Sequence, residues 1–148
     1  MITMTKTRIE FKLGELTSAI DRARRKNLMR QGAFIRRSAK SLIRKRKRTS
    51  NPGEPPSSHT GLLRRFIFFN YDVSKQTVVI GPMKLNRPTR RVRPADTVPN
   101  VLEFGGKVTV VGRNRRRKTI KVTERPFMVP AFKKGLADVA RVWKDSIR

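Results

Sequence analysis

The chain contains no cysteine and only one histidine, one tryptophan and one tyrosine among its 148 residues. The lack of cysteine excludes disulfides and thiolate metal sites, and His59 alone cannot build a metal site. Acidic residues are also scarce: the 10 Asp and Glu stand singly and form no paired carboxylates for metal-assisted or acid–base chemistry. The sequence therefore predicts no metal, no cofactor and no catalytic residue.

Long apolar runs are missing as well. The longest run of aliphatic or aromatic residues is Phe66–Phe69, far short of the ~20 residues that span a membrane. Met1–Arg8 lacks the apolar region of a secretory signal. We therefore expect no membrane partner and synthesis in a reducing cytoplasm.

Positive charge is the most unusual property of the composition. The chain has 37 Lys and Arg, and its formal net charge is +27. Self-repulsion of this size destabilises a compact monomer, and a polyanion such as nucleic acid would relieve it. The alternative is a solvated basic surface without a specific partner.

Apolar residues with helical spacing predict a long N-terminal helix that ends by Arg48. They are Leu13, Leu16, Ile20, Ala23 and, displaced by about one residue, Leu28, Ile35, Ala39 and Leu42. The pattern fits one helix, or two helices joined near Asn27–Gly32. From Arg22 to Arg48 there are thirteen basic residues and no acid. Like charges at i, i+4 oppose a helix, so packing, an acidic neighbour or phosphate must offset them.

The middle of the chain predicts two β-hairpins and two loops. Extended loops are expected at about 49–60 and 83–99, where prolines cluster. Residues 63–71 and 77–80 predict the first hairpin, with Phe66–Phe69 covered on both sides because both of its faces are apolar. Residues 108–111 and 119–122 predict the second hairpin, whose tip is residues 112–118.

A C-terminal helix is the clearest element of the sequence. Pro130 suits its first position, and Phe132, Leu136, Val139 and Trp143 continue as an apolar stripe. We expect this helix to pack on the sheet through Phe127, Phe132, Leu136, Val139 and Trp143. The predicted fold is a single α+β domain over residues 1–148, with a long N-terminal helix, a small antiparallel sheet built from two hairpins, and a C-terminal helix on that sheet.

Three short segments occur in a suggestive order: Thr60-Gly61-Leu62-Leu63 after a proline-rich approach, Glu103-Phe104-Gly105-Gly106, and Arg125-Pro126-Phe127 leading to Pro130-Ala131. In this order and spacing they resemble the neck or tail-completion proteins (head–tail connectors) of long-tailed bacteriophages. The resemblance covers roughly residues 14–148. It implies a non-enzymatic virion structural protein made in the host cytoplasm. It also implies a ring of commonly six subunits at the head–tail junction, beside other neck and tail proteins, with the genome end in its channel.

Glu103 has two interpretations. A general base would need a partner residue that adjusts its pKa or shares its proton, and the sequence spacing indicates no such partner. A structural ion pair with an arginine of this or a neighbouring subunit is the alternative, and with the resemblance it makes Glu103 and Phe104 candidate subunit contacts. His59 is expected in a surface loop. Arg125-Pro126-Phe127 predicts a docking turn in which Phe127 enters the core and Arg125 pairs with a carboxylate.

The cations of two loops are candidates for facing DNA. Fork-like arginine donors suit phosphate, and the absence of interleaved aromatics points to backbone contacts with double-stranded DNA that ignore sequence. The candidates are Arg113, Arg115, Arg116, Arg117 and Lys118, with Arg90, Arg91 and Arg93 as a second group.

Two other function classes remain open at this point. A ribosome- or RNA-associated protein fits the basic composition, although no aromatic RNP pattern or GXXG clamp is present. A nuclease or other enzyme has less support, because the acids form no metal site. The sequence leaves open the subunit number, the neck layer and the basic segment that faces DNA.

Overall fold

The computed structural model describes residues 13–83, 97–111 and 116–144, and these ranges form an α+β fold, as the sequence predicts. Helices lie at both ends and two β-hairpins lie between them. In chain order the elements are α1 (Leu13–Leu42), α2 (Leu62–Arg65), β1 (Ile67–Asp72), β2 (Thr77–Pro82), α3 (Val98–Phe104), β3 (Gly106–Val111), β4 (Arg117–Val122), α4 (Met128–Ala137) and α5 (Val139–Trp143).

Helix α1 is continuous, so the possibility of a joint near Asn27–Gly32 is excluded. Glycine normally weakens a helix interior, but at Gly32 the first hairpin approaches the backbone closely. A Cβ placed there would lie 2.7 Å from Val78 Cγ1 and 2.9 Å from Phe69 Cδ2. The glycine therefore allows β1 and β2 to pack directly on α1.

The two hairpins form two separate sheets, and the expectation of one sheet is wrong. Strands β1 and β2 pair antiparallel from Ile67↔Pro82 to Asp72↔Thr77, and β3 and β4 pair from Gly106↔Val122 to Val111↔Arg117. A two-stranded hairpin alone is marginally stable. The first hairpin gains support from α1, whereas the second contacts mainly α3.

The first strand begins later than the sequence predicts. Residues 62–65 form the short helix α2, because Gly61 adopts a left-handed conformation (φ 77°) and its carbonyl accepts a hydrogen bond from Arg65 N at 2.9 Å. Coverage on both sides of β1 is also wrong. Ile67 is fully buried, but Phe68 on the other face is 46 % exposed.

The C-terminal segment packs on α1 and is divided at Asp138 into α4 and α5. The helix thus docks mainly on α1, with the sheet contributing Ile67 of β1 to the same core, and the docking face is displaced from the predicted stripe. Phe127 is fully buried as expected, and Val139 and Trp143 are half-buried, but Phe132 and Leu136 are 50 % and 52 % exposed.

Small residues explain why this other face of α4 docks. Ala131 and Gly135 are buried, and a Cβ at Gly135 would collide with Ile35 of α1. The absence of that Cβ lets the two helices approach closely. Helix α4 also begins at Met128, two residues before the predicted start at Pro130.

The core is small and lies where α1, β1 and α4 meet. Its buried residues are Ile35, Ala39, Ile43, Ile67, Phe127 and Ala131. In the part of the chain that the structure describes, no helix has the length and apolar character needed to cross a membrane.

Candidate nucleic-acid interface

Glu103 connects two of the three segments singled out in the sequence. Its side chain is only 7 % exposed, and its carboxylate accepts hydrogen bonds from the backbone N–H groups of Phe127 (3.0 Å), Met128 (3.0 Å) and Val129 (2.7 Å). These N–H groups lie at the start of α4, where no earlier turn supplies acceptors. Glu103 is thus a distant cap of α4, and its negative charge also suits the positive end of the helix.

The remaining segment reaches the same corner of the molecule. Leu63 of the first segment, Leu102 directly before the second, and Met128 of the last pack against the core that contains Phe127. The backbone of the last segment is also tied to its neighbours, because Arg125 N donates to Leu102 O at 2.6 Å. The three segments therefore form one structural unit.

The preceding loop is fastened to the same unit by two hydrogen bonds. Gly53 N donates to Glu124 O at 2.9 Å, and Arg125 Nε donates to Ser50 O at 3.2 Å. The expected carboxylate partner of Arg125 is therefore replaced by a backbone carbonyl. His59 is exposed in this region, as predicted.

These contacts correct the expectations for Glu103. Its oxygens accept hydrogen bonds from backbone donors, and within the described residues they take the place of the expected ion pair with an arginine of the same subunit. A subunit contact near Glu103 stays a prediction. Phe104, in contrast, is 68 % exposed and lines an open groove with Pro52 and Lys121. A subunit contact at Phe104 stays a prediction.

The second hairpin presents cations to solvent. Arg116, Arg117 and Lys118 are all exposed, and the last two belong to β4 rather than to the hairpin tip. Arg113, Arg115, Arg90, Arg91 and Arg93 lie outside the described residues. Adjacent strand residues point to opposite faces, so Arg117 and Lys118 do not share one.

The register identifies a basic face of this hairpin that sequence inspection missed. Lys107 lies directly opposite Lys121, and Arg117 is on the same face as Lys121 because they are four residues apart. Between them the Thr109 and Thr119 hydroxyls approach to 3.4 Å. Like charges directly opposite each other destabilise a hairpin, which makes this face a place where an anion would be favourable. Alternating strand periodicity could have indicated it.

A second group of cations surrounds the exposed ring of Phe68. The Arg36 guanidinium carbon lies 5.9 Å, and Lys40 Nζ lies 6.0 Å, from the ring centroid. Arg36 Nε donates to Ile67 O at 2.8 Å, and Lys40 Nζ is 3.4 Å from Arg65 O. Carbonyls and a ring hold these side chains in place without neutralising their charge.

The electrostatics of Lys40 reflect this arrangement. Partial burial, the charge of Arg36 and the charge of Arg64 lower the pKa of Lys40, in that order of importance. The partners of Arg36 and Lys40 described above are backbone carbonyls and the Phe68 ring rather than a carboxylate. Arg25 stacks in the same way over Tyr71, at 5.4 Å from the ring centroid.

No metal site accompanies these surfaces, since the described ranges hold no group of three or more His, Asp or Glu placed to bind an ion. Comparison with known proteins adds no assignment: no protein-family model, curated protein or solved structure matches the chain.

Proposed function

We propose that this chain is a non-enzymatic structural protein of a phage virion, which assembles as a ring, with six subunits expected, at the head–tail junction. It adjoins other neck and tail proteins, and its basic surfaces contact the backbone of the genome end.

The observation that carries the DNA contact is the exposed basic face of the second hairpin. Lys107, Arg117 and Lys121 share this face, and strands β3 and β4 hold it away from the small core. Arginine and lysine arranged in this way neutralise phosphates without reading bases. A ring of such faces would line a channel with positive charge.

The neck assignment is supported by the resemblance of three segments and by their meeting at one corner. Glu103 of the second segment caps the helix that follows Arg125-Pro126-Phe127, and Leu63 of the first packs against the same core.

Salt-dependent DNA binding tests the contact. The triple variant Lys107→Thr, Arg117→Thr, Lys121→Thr keeps residues suited to strands and removes the face. If all three cations meet phosphates, the slope of log affinity against log salt should flatten by about 2.7, at ~0.9 for each contact. Lys75→Thr, in the turn of the first hairpin, is the control and should leave the slope unchanged. An unchanged slope in the triple variant would remove the face from the DNA contacts.

The alternative, an RNA-associated protein, is favoured by one observation. Phe68 is exposed between Arg36 and Lys40, and an aromatic ring beside cations suits stacking with an unpaired base. Phe68→Ser separates the two functions. It should weaken single-stranded RNA binding if a base stacks there and leave duplex DNA binding unchanged.

A further inference from the structure

Five consecutive cations, Arg44–Arg48, follow the first helix, and we name them the 44–48 segment. It is the longest uninterrupted run of Lys and Arg in the chain. Helix α1 ends at Leu42, so these five cations lie in irregular chain, where the helical i, i+4 spacing does not apply. All five are exposed. The segment is therefore a dense, solvent-facing positive charge that is separate from the second hairpin.

Contacts on both sides hold this segment in place. Before it, Ile43 is fully buried in the core, and Arg44 O accepts a hydrogen bond from Ser58 N at 3.0 Å. After it, Ser50 is 8 % exposed, and its carbonyl oxygen accepts a hydrogen bond from Arg125 Nε at 3.2 Å. Because the backbone is fixed at both ends, the segment presents its charges at a defined place, and less backbone entropy is lost when a partner binds.

Acidic residues of this chain cannot neutralise the whole segment. None of its five side chains forms a hydrogen bond or an ion pair with another described residue. Three acids, Glu10, Asp96 and Asp145, lie outside the described ranges. If all three paired with the segment, two of its five cations would still have no acid. The remaining charge favours an anionic partner from outside the chain.

We propose that the 44–48 segment is a second contact with the phosphate backbone of duplex DNA, in addition to the basic face of the second hairpin. Each DNA strand offers an unbroken row of charges, one per ~3.4 Å along the helix axis, so neighbouring cations can meet successive phosphates. The segment contains no aromatic residue for stacking with a base, and phosphate contacts carry no sequence information. This inference rests on the DNA contact in the proposed function and adds a separate surface to it.

Salt-dependent binding of the full-length chain to a short blunt-ended duplex tests the second contact. The triple variant Lys45→Gln, Arg46→Gln, Lys47→Gln removes three of the five cations. The slope of log affinity against log salt should flatten by at least ~0.9, for one lost phosphate contact, and by about 2.7 if all three cations meet phosphates. Circular dichroism checks the fold, which should persist because all three side chains are exposed.

A control variant with the same loss of charge separates a local contact from a general effect of net charge. Lys133→Gln, Lys134→Gln, Lys144→Gln removes three exposed cations from the C-terminal part of the chain and should leave the slope unchanged. Combining the 44–48 variant with the triple variant of the second hairpin should flatten the slope by the sum of the two separate changes, because each contact releases its own counterions.

Three results would overturn the second contact: an unchanged slope in the 44–48 variant, equal flattening in the control variant, or a double-site variant no flatter than the hairpin variant alone. If the hairpin variant still flattened the slope, the DNA contact of the proposed function would survive and only the 44–48 segment would be removed from it. A wild-type chain that does not bind duplex DNA at low salt would reject both contacts.

Discussion

Removing the Glu103 carboxylate should destabilise the domain more than any other loss of a single acidic residue in the described ranges. The carboxylate satisfies three N–H groups at the start of α4, and that of Phe127 is buried. Hydrogen bonds to a charged group contribute about 1.5–3 kcal/mol and a helix cap about 0.5–2 kcal/mol. Because the three bonds share one anion they are not additive, and we expect Glu103→Ala to cost about 3 kcal/mol. For a domain of this size this lowers Tm by roughly 10 °C.

Urea unfolding followed by the fluorescence of Trp143, the single tryptophan of the chain, measures this loss of stability. Glu103→Gln should cost less, about 1–2 kcal/mol, since the amide keeps one acceptor oxygen but turns an NH2 group toward the helix start. Glu124→Ala removes an exposed carboxylate nearby and should stay within about 0.5 kcal/mol of wild type. If Glu103→Ala behaved like this control, the capping role would be refuted.

Three further predictions concern packing and pH. Gly32→Ala should destabilise the domain by about 1–3 kcal/mol, because the added Cβ meets the first hairpin. Gly14→Ala has open space around the added Cβ and should not destabilise the domain. The midpoints of urea unfolding of the two variants and wild type measure the difference. Phe127→Ala should cost about 3–5 kcal/mol and Phe132→Ala less than about 0.5 kcal/mol in dilute monomer, and equal losses would contradict the observed docking face. Hydrogen bonds from the Ser74 hydroxyl and then from backbone N–H groups lower the pKa of Asp72. The stability that these hydrogen bonds add is therefore present above the unfolded-state pKa and is lost as the pH falls through the folded-state pKa. Asp72→Asn should abolish this contribution to the loss of stability in acid, which urea titrations at a series of pH values would measure.

Much of the secondary structure was predictable because it depends on local patterns. The helical spacing in residues 13–42, the turn residues around 72–76 and the branched residues of the strands each specify their element within a few positions. The strand start at residue 63 was wrong because a left-handed Gly61 begins a helical turn there, and apolar composition alone does not distinguish a strand from a short helix.

Packing between elements was less predictable, since it depends on residues that carry little signal. Large side chains suggested that Phe132 and Leu136 dock α4, but Ala131 and Gly135 do so, because they permit close approach to Ile35. A large apolar side chain is buried only where the neighbouring element leaves space for it. For the same reason the sequence did not reveal the role of Gly32, whose lack of a side chain allows the first hairpin to pack closely on α1.

The candidate site, too, was predictable only in part. The sequence indicated that Glu103 was special, but its partners lie more than twenty residues away on backbone atoms, which spacing cannot reveal. It also pointed to the second hairpin as basic, while the face formed by Lys107, Arg117 and Lys121 required the strand register. The Phe68 ring between Arg36 and Lys40 depends on the contact of β1 with α1, which no local pattern encodes.

Phosphates would meet the second hairpin, which contacts mainly α3. The cations around the Phe68 ring, Arg36 and Lys40, belong to α1. Each bound phosphate would relieve repulsion such as that between Lys107 and Lys121, so DNA would stabilise the subunits that bind it.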